Sequence, residues 1–385
     1  MTRNNTYRWV LAVICFLLFF TSCKRDNNPA EDTSYTYRAP EQVWDGWETG
    51  HAADVGVDIY PLLDMMNKYF GHSTRDVHGI LIIKMGKLIF EEYFPGCDYE
   101  PGNTGYKGAY LHFNRDTLHC MHSVTKSFAS TLIGIAIDKG FISGVDEKMC
   151  SFFPEYDSLK TTEKEKVTIE HLLSMTSGLE WNEGDFRVTD SRNDLTRMFR
   201  SSDPIGYILS KPVVTEPGAT FYYKGGDTNL LGEIVKKATG LNADHFSKPY
   251  LFDKLGITNY YWTYFPLADD VVYVSGDIYL RPRDMAKFGL LFLDEGMWQG
   301  ERIISKEWVN RATGKYIAAG GYYSGSDYGY QWWLKDYTAD NHTVHSYSAR
   351  GWGGQYITVF PELDALVVLT GGNYTGYVPV NEIIV

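Results

Sequence analysis

Cysteine is scarce in this chain, five residues in 385, and none of the spacings matches a zinc pattern. No His-Glu-x-x-His helix motif is present either, so the sequence offers no ligand set and no metal is expected. No Gly-x-Ser-x-Gly turn occurs, which removes the strained elbow on which one kind of Ser-His-Asp triad rests. Basic charge is in deficit. Lysine and arginine number 36 against 48 acidic residues, a formal net charge of −12 with no basic cluster, and this excludes nucleic acid as an expected partner. Long apolar runs are missing except for Trp9 to Phe20, which is too short to span a bilayer comfortably.

That run follows Arg3 and Arg8 and gives way to Thr21-Ser22-Cys23 and then the charged Lys24-Arg25-Asp26. A basic start, an apolar middle and small residues before a cysteine read as a secretory leader over 1–22. The cysteine itself reads as a bacterial lipoprotein cleavage site, with Cys23 becoming the lipidated N-terminus. The expectation is a chain exported to the cell envelope and anchored by lipid in the outer membrane, on its periplasmic or surface face. Residues 23–50 read as the tether, polar and short of aliphatics at its start. Residues 51–385 read as one domain with a helical insertion over 160–265. Cys97, Cys120 and Cys150 remain in that body, and an odd count leaves at least one unpaired within the chain.

What is present is apolar and aromatic residue in quantity, 44% and 15% of the chain, ample for a large core. Tyr60-Pro61 opens an amphipathic helix with proline in its first turn. Gly79 to Met85 and Leu88 to Phe94, joined by Gly86-Lys87, read as a β-hairpin. A helix from Met121 to Lys139 ends at Gly140, and Thr168 caps another. Further helices are expected over Thr228–Ala238 and from Asp284. Tyr330–Leu334, Gln355–Phe360 and Ala365–Leu369 then read as strands. Strands first, helices in the middle and strands last imply an α+β fold: one antiparallel sheet built from both ends of the chain, flanked by helices, with an all-helical subdomain.

Three stretches carry chemistry. Ser123-Val-Thr-Lys126 is the only Ser-x-x-Lys in the sequence, and residues three apart on a helix share a face. An amine beside a hydroxyl is one route to an activated nucleophile. Tyr223 follows Glu216-Pro-Gly and stands just ahead of a helix, where a nearby ammonium would favour its phenolate and let it shuttle a proton. Ala349-Arg-Gly-Trp-Gly-Gly-Gln355 runs into a strand, and glycines there let a substrate carbonyl approach closely. His122 beside Ser123 points about 100° away on a helix and is not its base; a cap or packing role is expected.

These stretches in this order, with Thr168-Ile-Glu-His-Leu-Leu-Ser-Met-Thr-Ser-Gly-Leu179, Leu230-Leu-Gly-Glu-Ile-Val and Thr239-Gly240 between them, resemble the serine β-lactamase and penicillin-binding-protein superfamily. The resemblance runs from His78 to Leu369 and is closest to the branch of class C-like esterases, D-amino-acid peptidases and 6-aminohexanoate-oligomer hydrolases. It implies Ser123 as nucleophile, Lys126 as general base or relay, Tyr223 as partner base, and the backbone N–H groups of Ser123 and Trp352 as the oxyanion hole. Arg350, Gly351, Trp352 and Gly353 would border the substrate. No cofactor is implied, and the chain would act as a monomer on small esters or amides or on D-amino-acid peptides.

Two departures stand out. Many relatives read Tyr-x-Asn where this chain reads Tyr223-Lys224-Gly225, so an amide that helps hold substrate is missing. Where the third motif reads Lys-Thr-Gly or His-x-Gly, this chain reads Ala349-Arg350-Gly351. Arg350 is then either a replacement grip for a carboxylate or a solvated strand residue. Both losses argue against an efficient β-lactamase and for a hydrolase of small esters or amides. The alternatives are a D,D-peptidase or D-aminopeptidase-like cell-wall amidase, and a penicillin-recognising binder that does not turn over.

Overall fold

The computed structural model describes residues 35–69, 76–186, 188–339, 341–376 and Ile383. The leader over 1–22, Cys23 and the start of the tether lie outside the described residues. Residues 35–50, read from sequence as the end of the tether, lie on the body. The Tyr37 hydroxyl donates to the Ile89 carbonyl at 2.7 Å, and the buried Trp47 indole donates to the Arg283 carbonyl at 3.1 Å. Aromatic side chains in an otherwise polar segment supply the apolar area that holds it there.

The main sheet has nine strands: β1 (Glu48–Thr49), β2 (Val77–Lys84), β3 (Lys87–Tyr93), β4 (Ile317–Ala319), β5 (Ser326–Tyr328), β6 (Trp333–Ala339), β7 (His342–Gly351), β8 (Gln355–Phe360) and β9 (Ala365–Gly371). Their spatial order is β1-β3-β2-β9-β8-β7-β6-β5-β4. Every pairing is antiparallel except β1 on β3. The first and last parts of the chain therefore meet at β2 and β9, as the order of elements in the sequence implied. β6 starts at Trp333 rather than Tyr330, because Gln331 sits at φ +65° and breaks the extended run.

One sheet face is covered by α4 (Pro282–Leu293); the other carries α1 (Tyr60–Tyr69), whose Met65 and Met66 pack with Ile80, Phe90, Val367 and Leu369. Between α4 and the helical region runs α2 (Thr125–Asp138), buried at every position from Thr125 to Ala136, its polar Thr125, Lys126, Ser127, Ser130 and Thr131 included. Phe128 of α2 stacks on Phe288 of α4 with ring centroids 3.7 Å apart. Beyond α2 lies α3 (Gly225–Thr239), accompanied by short helices at Ile169–Leu173, Asp194–Phe199 and Pro204–Leu209. Thr168 caps the first of these, accepting from the His171 amide at 3.3 Å. Among the described residues no helix is long and apolar enough to cross a membrane.

Candidate active site

The α2 helix begins later than its sequence pattern suggests. His122, Ser123 and Val124 form a 3-10 turn, and α-helix starts at Thr125. The cause is His122, a non-glycine residue at φ +45°, a conformation costly for an L-residue and sustained only by surrounding contacts. Those contacts are visible. His122 Nδ1 lies 3.0 Å from Asp277 Oδ1, and the Cys120 thiol donates to the same oxygen at 3.3 Å. The Met121 amide donates to the Ile278 carbonyl at 2.8 Å, while the Ile278 amide donates to Thr125 Oγ1 at 3.1 Å. The turn carrying Ser123 is thus pinned from both ends to residues 277–278. His122 takes no base role toward Ser123; it braces the turn.

Three residues apart, and held by that turn, Ser123 and Lys126 meet. Lys126 Nζ donates to Ser123 Oγ at 2.9 Å and to the Ser275 carbonyl at 2.5 Å. Ser275 is itself held by Asn229 of α3, whose amide donates to Ser275 Oγ at 2.9 Å. Burial brings the Lys126 ammonium down to about 8, with Glu183 and Asp277 partly opposing the fall. A neutral amine is accordingly within easy reach near neutral pH.

Tyr223 is brought to the same place by the turn before α3. Its hydroxyl lies near enough to Ser123 for the serine to ease its ionisation, and Lys126 Nζ stands 5.0 Å from its ring centroid. A lysine this close was expected to favour the phenolate. Burial dominates instead and holds the phenol above its usual range, the Ser123 hydroxyl only partly countering. The resting site therefore pairs a readily deprotonated amine with a protonated phenol. Lys224, next in sequence, takes no part: it turns into the core, donating to Ser177 Oγ at 3.1 Å and the Leu179 carbonyl at 2.9 Å.

The third stretch closes the site. β7 ends at Gly351, where an added Cβ would stand 2.3 Å from the Met121 carbonyl oxygen. Only glycine lets the strand end lie this close to the Ser123 turn, and this brings Trp352 beside it. Trp352 is 38% exposed and faces Tyr106 and Tyr374 at 4.7 and 5.1 Å between centroids. Gly353 packs against Tyr374, its missing Cβ 2.2 Å from that ring; it is a fitting position in the wall. On the opposite side Trp333 stacks on Tyr223 at 5.5 Å, with Tyr323 and Phe221 completing an aromatic wall. Trp332, by contrast, is wholly core.

Arg350 is only partly exposed. Its guanidinium is buried against Trp333, 5.6 Å from the ring centre, and Nε and Nη2 lack hydrogen-bond partners among the described residues. Burial lowers its proton affinity, and its two unpartnered nitrogens leave it able to pair with a carboxylate.

Sequence reasoning missed Glu183. Its Oε2 accepts from the Trp181 indole at 2.6 Å and from the Gly225 amide at 2.7 Å. A Cβ on Gly225 would lie 3.3 Å from that oxygen, so the carboxylate reaches into space that a side chain at 225 would enter. Ser275 and Asn229 were missed as well; no spacing marks a carbonyl acceptor.

A family model described as Beta-lactamase matches residues 72–381. Among curated proteins the chain is 26% identical over 274 residues to a 6-aminohexanoate-dimer hydrolase of Paenarthrobacter ureafaciens, covering 66% of each chain, just under two thirds of that relative's length. Among solved structures, a family VIII carboxylesterase superposes with a TM-score of 0.65 at 15% identity, covering 85% of this chain and 96% of that one. A penicillin binding protein from Bacillus halodurans gives 0.62 at 18% identity, covering 84% and 98%. These likenesses confirm the fold: a large sheet flanked by helices. With a family model spanning most of its length, the chain belongs to the beta-lactamase family, whose members are mostly hydrolases of amides and esters.

Proposed function

We propose that the protein is an exported serine hydrolase that cleaves small esters or amides through an acyl-enzyme on Ser123. The observation that carries this reading is Lys126 Nζ, buried and 2.9 Å from Ser123 Oγ. Ser123 Oγ attacks the carbonyl carbon as its proton passes to neutral Lys126. Negative charge on the former carbonyl oxygen is met by the backbone N–H groups of Ser123 and Trp352, each such donor being worth a few kcal/mol. Tyr223 gives its proton to the leaving nitrogen or oxygen and recovers one from the Lys126 ammonium. The C–N or C–O bond breaks, and the acyl group stays on serine. Water then adds to the ester carbonyl, its proton taken by the same pair, and the acid leaves as Ser123 regains its hydrogen. No metal or cofactor enters any step.

Lipidation of Cys23 and residence in the outer membrane belong to the same proposal, resting on the sequence pattern of residues 3–26; the proposed enzyme is a monomer. The aromatic side chains around Ser123, Trp352 with Tyr106 and Tyr374 and Trp333 with Tyr223 and Tyr323, fit small apolar acyl groups. Hydrolysis of p-nitrophenyl butyrate, a D-alanyl p-nitroanilide and nitrocefin by the body lacking residues 1–23 tests the reading. Ester turnover that disappears in Ser123→Ala supports it. Turnover equal in wild type and Ser123→Ala removes it, and an acyl-enzyme that never deacylates favours the penicillin-recognising binder.

A further inference from the structure

Cys120, His122 and Asp277 meet beside the turn that carries Ser123, and the three side chains are a metal-ligand set as well as a brace. Cys120 Sγ lies 3.6 Å from His122 Nδ1 and 3.3 Å from Asp277 Oδ1, and Nδ1 lies 3.0 Å from that same oxygen. All three donor atoms fall within 4.8 Å of one another. Tetrahedral coordination with Zn–S ~2.3 Å, Zn–N ~2.1 Å and Zn–O ~2.0 Å sets its ligand atoms ~3.3–3.6 Å apart, so this triangle matches one face of a zinc site to ~0.3 Å.

The frame that holds these ligands is rigid. His119–Cys120 pairs antiparallel with Ile278–Leu280, setting Tyr279 against Cys120, and the Asp277 carbonyl accepts from Thr263 Oγ1 at 2.8 Å. His122 is held at φ +45°, one residue from the nucleophile. Cys120 is wholly buried and His122 nearly so, while Asp277 keeps 21% of its side chain open to solvent, which gives an ion its way in. No spacing in the sequence discloses the set, because Asp277 lies 155 residues beyond His122.

Charge and ligand type decide which ion fits. A thiolate and a carboxylate carry two negative charges and a neutral imidazole adds none, so a dication leaves the site neutral where unbalanced buried charge is costly. Burial keeps the Cys120 thiol protonated on its own; a coordinating dication displaces that proton outright. Sulfur and imidazole select zinc over magnesium and calcium, which take oxygen.

We propose that Cys120, His122 and Asp277 form a Zn²⁺ site, its fourth position left to water, in which metal bonds replace the hydrogen bonds that brace the Ser123 turn. The site stands outside the proton path of Lys126 and Tyr223 and does not depend on the hydrolase reading.

The test uses the full chain, stripped of metal by a chelator. One equivalent of cobalt(II) per chain gives a thiolate-to-cobalt charge-transfer band and the intense visible bands of a four-coordinate ion. Both persist in Cys150→Ser, which removes the other free thiol of the described residues, and both vanish in Cys120→Ser. Zinc displaces the cobalt and raises the urea midpoint of the wild type, as a ligand of the folded state does; magnesium does neither. In Asp277→Asn the zinc Kd, read by competition with a chromophoric chelator, rises by ~tenfold or more, the least that even a partner of a metal ligand is worth. The wild-type readings decide even where a variant fails to fold. Folded wild type without the charge-transfer band, a band that persists in Cys120→Ser, or a wild-type urea midpoint unmoved by zinc overturns the proposal.

Discussion

The Lys126 ammonium rests on the Ser275 carbonyl, 2.5 Å away, while also reaching Ser123 Oγ at 2.9 Å. One contact holds the amine in place and the other sets it to work. Ser275 is tied to α3 through Asn229 and Lys126 rises from α2, so the pair joins the two helices that bring serine and tyrosine together.

The first prediction concerns pH. Burial lowers Lys126 to about 8, and the base form is the neutral one. The rate constant kcat/KM for a neutral ester therefore rises as pH climbs from 6 toward 8 and levels off above. Lys126→Arg removes the rise along with the activity, since a guanidinium stays protonated. A profile flat from pH 6 to 9, or falling across it, contradicts the assignment.

Tyr223→Phe keeps the ring that stacks on Trp333 and removes only the hydroxyl. Stability should change little, while kcat falls by ~10²–10⁴, the usual range for a lost general acid or base. A variant with wild-type kcat would take Tyr223 out of the proton path.

Gly351→Ala places a Cβ 2.3 Å from the Met121 carbonyl, a backbone atom that cannot swing aside. Displacement of the strand end from the Ser123 turn should cost ~1–3 kcal/mol, as overpacking does, and should lower kcat more than it raises KM, because the oxyanion site moves. Urea unfolding and steady-state kinetics measure the two effects. Wild-type behaviour in both would show that strand and turn are not packed as described.

Just ahead of the nucleophile turn in sequence, His119 Nε2 lies 2.8 Å from His78 Nδ1 in a buried pair with Phe113 stacked on His78. Burial, and for His78 also the neighbouring imidazole, hold both below the usual range, His119 at about 4. Their unfolded values near ~6.5 are higher, so the unfolded state binds more protons. The stability this pair contributes is complete above pH ~6.5 and drains away as pH falls toward about 4. Urea midpoints at pH 7.5, 6 and 5 should drop in that order, and drop less steeply in His119→Gln. A steeper drop in the variant contradicts the account.

Much of this was legible in the chain because each feature was local. The hairpin at residues 77–93, the Thr168 cap and strands β8 and β9 follow from periodicity and turn residues, and serine-to-lysine spacing alone placed one above the other. What was not legible came from distant pairings. The 3-10 start of α2 depends on Asp277 meeting His122, and the phenol state of Tyr223 depends on burial rather than on its lysine neighbour. For Arg350 the sequence left a carboxylate grip and a solvated strand residue both open, because strand alternation does not reveal that Trp333 lies against it. The Glu183 contact was invisible because its partner is the backbone amide of the distant Gly225.

Intact mass spectrometry of the protein lacking residues 1–23, after a fluorophosphonate probe, tests Ser123 as a nucleophile. One adduct per chain, mapping to Ser123 and absent from Ser123→Ala, is the predicted result. A folded wild-type protein that takes no adduct, or takes one equally in Ser123→Ala, would contradict it.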